Sequence, residues 1–124
     1  MFRKFKRFIN FKISYRTCLG QGKNTREVSE INEITYEELL KRVKQGSILL
    51  DVRTKQEFME GHLDGALLIP YYEISRKIEN IVPNKDEMII VYCQNGGRSK
   101  KASETLKKLG YTNVFNLKEG IKDL

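Results

Sequence analysis

The sequence predicts an α/β domain of three layers, a mostly parallel central sheet with helices on both faces. Three observations carry this. Short apolar runs at 48–52, 66–69, 89–93 and 113–117 alternate with stretches whose apolar residues recur at helical spacing. Capping sequences and glycines punctuate those stretches, and strands that alternate with helices pair in parallel with both sheet faces covered. The chain of 124 residues is long enough for one core without disulfide support.

The elements follow in order from about residue 29. Thr35-Tyr36-Glu37-Glu38 reads as a capping box opening a helix through Leu39, Leu40 and Val43, with Gly46 as its stop. The run 48–52 is a short buried strand. Thr54-Lys55-Gln56-Glu57 is a second capping box, for a brief helix through Phe58 and Met59 to Gly61. The run 66–69 is a strand closed by Pro70, and Ile74, Ile78, Ile81 and Val82 line an amphipathic helix ended by Pro83. Ile89, Ile90, Val91 and Tyr92 lead as a strand into Cys93. A turn with Gly96 and Gly97 then opens a helix carrying Ala102, Thr105, Leu106 and Leu109, which Gly110 stops before a last strand at 113–117.

Residues 1–28 are of another kind. Eight basic residues precede the first acid, Glu27, whereas fifteen basic and sixteen acidic residues follow from there. The formal charge of +7 therefore belongs to the N-terminal segment, which removes the main support for nucleic-acid binding by the domain. Phe2, Phe5, Ile9 and Ile13 could share a helical side, but Phe11 and Tyr15 fall elsewhere. The favoured expectation is a basic flexible extension at 1–28 before a domain at 29–124; weak contact with anionic membrane and an acid-free targeting segment are the alternatives. Cys18 lies in this extension without visible chemical setting. Two cysteines, outside any C-x-x-C pair, point to a reducing, cytoplasmic setting, with organelle-targeted or membrane-peripheral placement as the alternative. With a single histidine, His62, neither a histidine-based triad nor a histidine-rich metal site has its parts, so no metal or cofactor is expected.

Cys93 stands at the carboxyl end of a strand, before a glycine pair and a helix N-terminus, where open α/β sheets bind ligands. A thiol reacts as thiolate, and an ordinary cysteine is only a few per cent ionised at neutral pH. A loop whose backbone N–H groups turn inward, together with the positive end of the next helix, can stabilise the anion without an imidazole. The competing reading, a small buried hydrophobe, is the usual fate of a free cysteine.

From Cys93-Gln94-Asn95-Gly96-Gly97-Arg98 the chain resembles the rhodanese-like sulfurtransferases. Leu50-Asp51-Val52-Arg53 with Glu57-Phe58 is similar to the family's D-V-R-x-x-x-E-[FY] segment. Gly61-His62-Leu63-Asp64-Gly65-Ala66 is similar to its G-H-I-x-G-A segment, and Leu109-Gly110-Tyr111 through Val114 to the end of its loop helix and the next strand. At the C-terminal side the family often carries G-G-x-x-x-W, where this chain has Glu119-Gly120-Ile121-Lys122-Asp123-Leu124; the departure concerns packing there rather than chemistry.

The resemblance implies a rhodanese-like three-layer fold and transfer of a sulfane sulfur from a small anionic donor such as thiosulfate. A thiol, cyanide or protein acceptor would take that sulfur from a persulfide on Cys93. It implies that Gln94, Asn95, Gly96, Gly97, Arg98 and Ser99 hold the terminal sulfur. Arg98 would draw the anionic donor or brace the loop through a carboxylate. Asp51 and Arg53 would be structural supports, and His62 a structural histidine bonded to backbone. Sulfur-relay proteins are the alternative partners. Four residues separate Cys93 from Arg98, one fewer than the cysteine-phosphatase signature, so the cradle suits one sulfur better than a phosphate. A non-catalytic binding module is disfavoured by retention of the cysteine with its glycines and arginine.

Overall fold

The structure is a computed structural model and describes residues 30–124; the basic segment 1–28 and Cys18 lie outside the described residues. Among the described residues every element is short, the longest having 12 residues. β1 (Asn32–Ile34), α1 (Tyr36–Lys44), β2 (Ile48–Asp51), α2 (Lys55–Met59) and β3 (Leu67–Leu68) are followed by a 3-10 turn at Tyr71–Glu73. Then come α3 (Ile74–Ile81), β4 (Ile89–Tyr92), α4 (Gly97–Lys108) and β5 (Val114–Leu117).

The strands form one five-stranded sheet in the order β1-β5-β4-β2-β3, and every pair is parallel. The three-layer α/β expectation holds. Because side chains alternate across a strand, β4 feeds two cores. Ile89, Val91 and Cys93 join Ala102 and Leu106 of α4 and Ile74 and Ile78 of α3 on one face. Ile90 and Tyr92 join Leu39 of α1 and Leu49 on the other. All four β4 residues are fully buried, which explains why the run 89–92 shows no polar alternation. At roughly 1.5–3 kcal/mol for each buried Ile or Val, this strand is a main source of cohesion.

Local signals act as read, with differences that have physical reasons. Thr35 caps α1 by accepting from the Glu38 N–H, but Glu38 turns its carboxylate to Arg42 one turn on rather than back to the cap, so half of the box is made. Thr54 and Glu57 make the full reciprocal box. Gly46 ends α1 at φ 97, its N–H reaching Val43 O while the Ser47 N–H reaches Arg42 O, the Schellman pattern. The strand expected at 66–69 is reduced to two residues that pair only with β2. In α3, Ile81 is 46 % exposed and the core position passes to Val82, because the helix ends there and the chain turns inward. β1 and the 3-10 turn were not expected. Asn32 and Glu33 are exposed, so β1 exists through its pairing with β5 and has no periodic signal of its own. No helix among the described residues is long and apolar enough to cross a membrane.

Candidate active site

The site forms where the connections diverge. The chain leaves β2 toward the β3 edge and leaves β4 toward β5, so the carboxyl ends of the adjacent strands β2 and β4 border a crevice at a switch in direction. Asp51 lies opposite Tyr92 in that pair, which brings Val52-Arg53 and Cys93-Gln94 out side by side.

Cys93 follows β4 directly, and its loop curls back on its sulfur. The Gly96 N–H donates to Sγ at 3.0 Å and the Ser99 N–H at 3.4 Å. Gly96 permits the curl: it stands at φ 97 as the residue before α4, and a Cβ there would lie 2.2 Å from Lys118 O. Gly97 is different. It is the first helical residue, with open space around it, so the unusual backbone angle of the glycine pair belongs to Gly96 alone.

Burial is the largest influence on the Cys93 thiol and pushes its pKa up, but hydrogen bonds from Ser99 and the backbone N–H groups of Ser99, Gly96 and Asn95 outweigh it, leaving the thiol below its ordinary value. The Ser99 hydroxyl has one hydrogen, and its shortest contact, 2.5 Å, is to Asn116 Oδ1. The lowering therefore rests on the N–H groups, as expected of amides turned toward an anion at a helix start.

The loop is held from behind. Asn116 of β5, fully buried, accepts from Ser99 and directs Nδ2 toward Gly96 O at 3.5 Å and Glu33 at 3.3 Å. The Ile121 N–H donates to Cys93 O and the Lys122 N–H to Gln94 O, both at 3.1 Å. Gly120, at φ 70, passes so close that a Cβ would lie 2.2 Å from Gln94 O. Ile121 packs on the α1-side core and Leu124 is 63 % exposed. Packing at the C-terminal turn thus comes from Ile121 and backbone contact, with no large aromatic involved.

Two arginines frame the loop, each on a carboxylate. Arg53 is buried; its guanidinium meets Asp51 at 2.8 Å and also donates to Gly61 O at 2.7 Å and Gln94 Oε1 at 3.2 Å. It ties β2, the segment after α2 and the loop together, and hydrogen bonding to Asp51 raises its pKa. Arg98 meets Glu57 with two bonds, Nη1–Oε1 at 2.8 Å and Nη2–Oε2 at 2.9 Å. That contact, ahead of burial, which opposes it, and the Thr54 N–H, holds the Glu57 carboxyl at about 2. His62 is exposed, stacks on Phe58 with ring centroids 3.6 Å apart, and its Nδ1 donates to Phe58 O at 2.9 Å.

An open cleft of about 560 Å³, bordered by Arg53, Glu57, Glu60, His62, Leu63 and Gln94 among others, runs beside the loop. Cys93 does not line it and is 1 % exposed. Among the described residues no cluster of three or more His, Cys, Asp or Glu could hold a metal ion. Of the eight candidate residues beyond Cys93, Gly96 and Ser99 contact Sγ, Arg53 reaches the loop through Gln94 and is itself held by Asp51, Arg98 turns its side chain to Glu57, and Gly97 has open space around it. Sequence reasoning missed the contacts of Asn116, Glu57, Gly120 and Ile121; a lone asparagine within the apolar run 114–117 was the one available signal.

The chain is 39 % identical over 75 residues to the thiosulfate sulfurtransferase PspE of Escherichia coli, covering 60 % of this chain and 71 % of that protein. It is 31 % identical over 106 residues to the putative sulfur carrier protein YrkF of Bacillus subtilis, but spans only 56 % of that relative. A solved rhodanese with anions from E. coli superposes with a TM-score of 0.59 at 37 % identity, covering 64 % of this chain and 92 % of the other. These relatives support sulfur transfer as the general activity. Since the Rhodanese-like domain model also matches residues 35–124, from the α1 cap through the loop to the turn that clasps it, the chain belongs to the rhodanese-like family.

Proposed function

We propose that the domain, taken as residues 29–124, is a cytoplasmic sulfurtransferase in which Cys93 carries the sulfur as a persulfide. The observation that carries this is the pair of N–H groups at Sγ, 3.0 and 3.4 Å away, which stabilise a thiolate with no imidazole among the groups acting on it. The thiolate attacks the outer sulfur of a donor such as thiosulfate. A new S–S bond forms, the donor's S–S bond breaks, and sulfite leaves with the electron pair. A thiolate or cyanide acceptor then attacks the terminal sulfur, and Cys93 departs as thiolate. In this reading the N–H groups of Gln94, Asn95, Gly96, Gly97, Arg98 and Ser99 hold the terminal sulfur anion, Arg98 braces the loop through Glu57, and Asp51 with Arg53 supports it from β2.

Mass spectrometry after incubation with thiosulfate tests this: the Cys93 peptide should gain one sulfur atom and lose it to cyanide. Cys93→Ser should fold and show neither event. Sulfur transfer by the serine variant at the original rate would remove Cys93 from the chemistry, and turnover of a phosphatase chromogenic substrate would favour the phosphatase rival.

A second reading makes the acceptor a protein, with Cys93 a station in a relay. The open cleft beside the loop and the likeness to a protein named as a putative sulfur carrier favour it. Radiolabelled sulfur passing from the loaded chain to an acceptor protein faster than to free thiol would distinguish it.

A further inference from the structure

Both arginines beside the loop are paired before any donor arrives. Arg98 spends both terminal nitrogens on Glu57. Glu57 cannot readily release it, because Oε1 also accepts the Thr54 N–H at 3.0 Å and the Thr54 hydroxyl at 3.1 Å, which fixes the carboxylate to the start of α2. Arg53 is equally committed, to Asp51, Gly61 O and Gln94 Oε1. Glu60, exposed, adds a further carboxylate to the cleft. Gln94 and Asn95 at the loop itself are neutral. Each guanidinium thus has its own carboxylate, Arg53 on Asp51 and Arg98 on Glu57.

We infer that Glu57 is a specificity-determining residue: by neutralising Arg98 it makes the mouth of the loop favour monoanionic or uncharged sulfane-sulfur donors over dianionic thiosulfate. The inference rests on the reading that Cys93 accepts sulfane sulfur, and goes beyond it by naming the donor's charge class and the residue that sets it. Glu57 touches neither thiol nor donor; it acts through Arg98, so its signature is a change in donor preference rather than loss of the reaction.

The test compares thiosulfate with methanethiosulfonate, which offers the same reacting sulfur with one negative charge fewer. Sulfite leaves from the first and methanesulfinate from the second, each with the electron pair of the broken S–S bond. Glu57→Gln keeps an acceptor for the α2 cap, since glutamine serves at that position of a capping box, while freeing the charge of Arg98. The ratio of kcat/KM for thiosulfate to that for methanethiosulfonate should rise about five-fold, the effect of one partly exposed charge, through KM rather than kcat. Because the Glu57–Arg98 pair has no net charge, the double variant E57Q/R98Q should return the ratio to the wild-type value. A merely structural Glu57 would lower both donors together, and a donor-binding Arg98 would make the double variant lose thiosulfate selectively; either result overturns the inference.

Sulfur added to the Cys93 peptide is measured in parallel. If the wild-type chain takes sulfur from neither donor, the sulfurtransferase reading fails and the inference with it; if sulfur is added but the ratio stays fixed, the inference alone fails. Should Glu57→Gln not fold, alkylation of wild-type Cys93 still decides. Relative to glutathione, anionic iodoacetate should label it no faster than neutral iodoacetamide, and a strong preference for iodoacetate would refute a compensated mouth.

Discussion

Replacing Gly120 by alanine tests whether the turn after β5 holds the loop in shape. Gly120 lies at φ 70, and an added Cβ would come within 2.2 Å of Gln94 O, 2.5 Å of Gln94 C and 2.7 Å of Asn95 N. The left-handed backbone costs alanine about 1–2 kcal/mol, and forcing the loop aside adds about 1–3 kcal/mol of overpacking. The sum, roughly 2–5 kcal/mol, is a large share of a typical 5–15 kcal/mol and corresponds to a fall in Tm of roughly 10–25 °C for a domain of this size. Gly46→Ala is the control, since its φ of 97 is at least as unfavourable for alanine but nothing lies within 4 Å of its added Cβ; it should cost only the backbone part. The clash falls on the backbone that turns N–H groups toward Cys93, so Gly120→Ala should also raise the thiol pKa read from the pH dependence of Cys93 alkylation. Equal Tm losses in the two variants, with an unmoved thiol pKa, would refute the claim that this turn shapes the loop.

Three other perturbations follow, two from the ion pairs and one from the buried Asn116–Ser99 hydrogen bond. Asp51→Ala strands the Arg53 guanidinium among buried neighbours and should cost about 3–5 kcal/mol, seen as a lowered urea midpoint. The Glu57 carboxyl is held at about 2 against an ordinary 4.5, a depressed acid. Its contribution is therefore fully present above about pH 4.5 and is lost as pH falls through about 2. Partial exposure limits it to about 1 kcal/mol, and Glu57→Gln should flatten that part of the urea-midpoint profile. Asn116→Leu removes the acceptor of the Ser99 hydroxyl inside a buried site and should cost about 1–3 kcal/mol, while raising the Cys93 thiol pKa as the start of α4 loosens.

What was legible in the sequence was local. Strand, glycine turn and helix around Cys93 fall within twenty consecutive residues, and the Thr54–Glu57 box within four, so hydrophobic period and cap chemistry were enough to read them. What was hidden depended on the sheet. Glu57 and Arg98 are 41 positions apart and meet only because β2 and β4 are neighbours. Asn116 reads as a flaw in a strand until Ser99 is placed opposite it. β1, with Asn32 and Glu33 exposed, carries no pattern at all, because its stability is borrowed from β5. The family resemblance supplied the order of segments; the partners of each charge came from geometry alone.

The remaining tension lies at the thiol itself. Burial of Cys93 to 1 % exposure works against ionisation and also against access, yet the same enclosure strengthens the N–H groups that favour the anion, since water no longer competes for the sulfur. The two demands are met on opposite sides of the loop. Behind it, Ile121 and Lys122 tie down the carbonyls of Cys93 and Gln94, Gly120 fills the gap, and Asn116 holds Ser99. In front, Asn95 and Gly97 are exposed and Gln94 and Arg98 half-buried, so a donor approaches from this rim. The back of the loop sets the thiolate and its front sets what reaches it. This division puts donor selection on Gln94, Asn95 and the Glu57–Arg98 pair and activation on the backbone of Gly96 and Ser99, so substitutions at the rim should change KM and those behind the loop the thiol pKa.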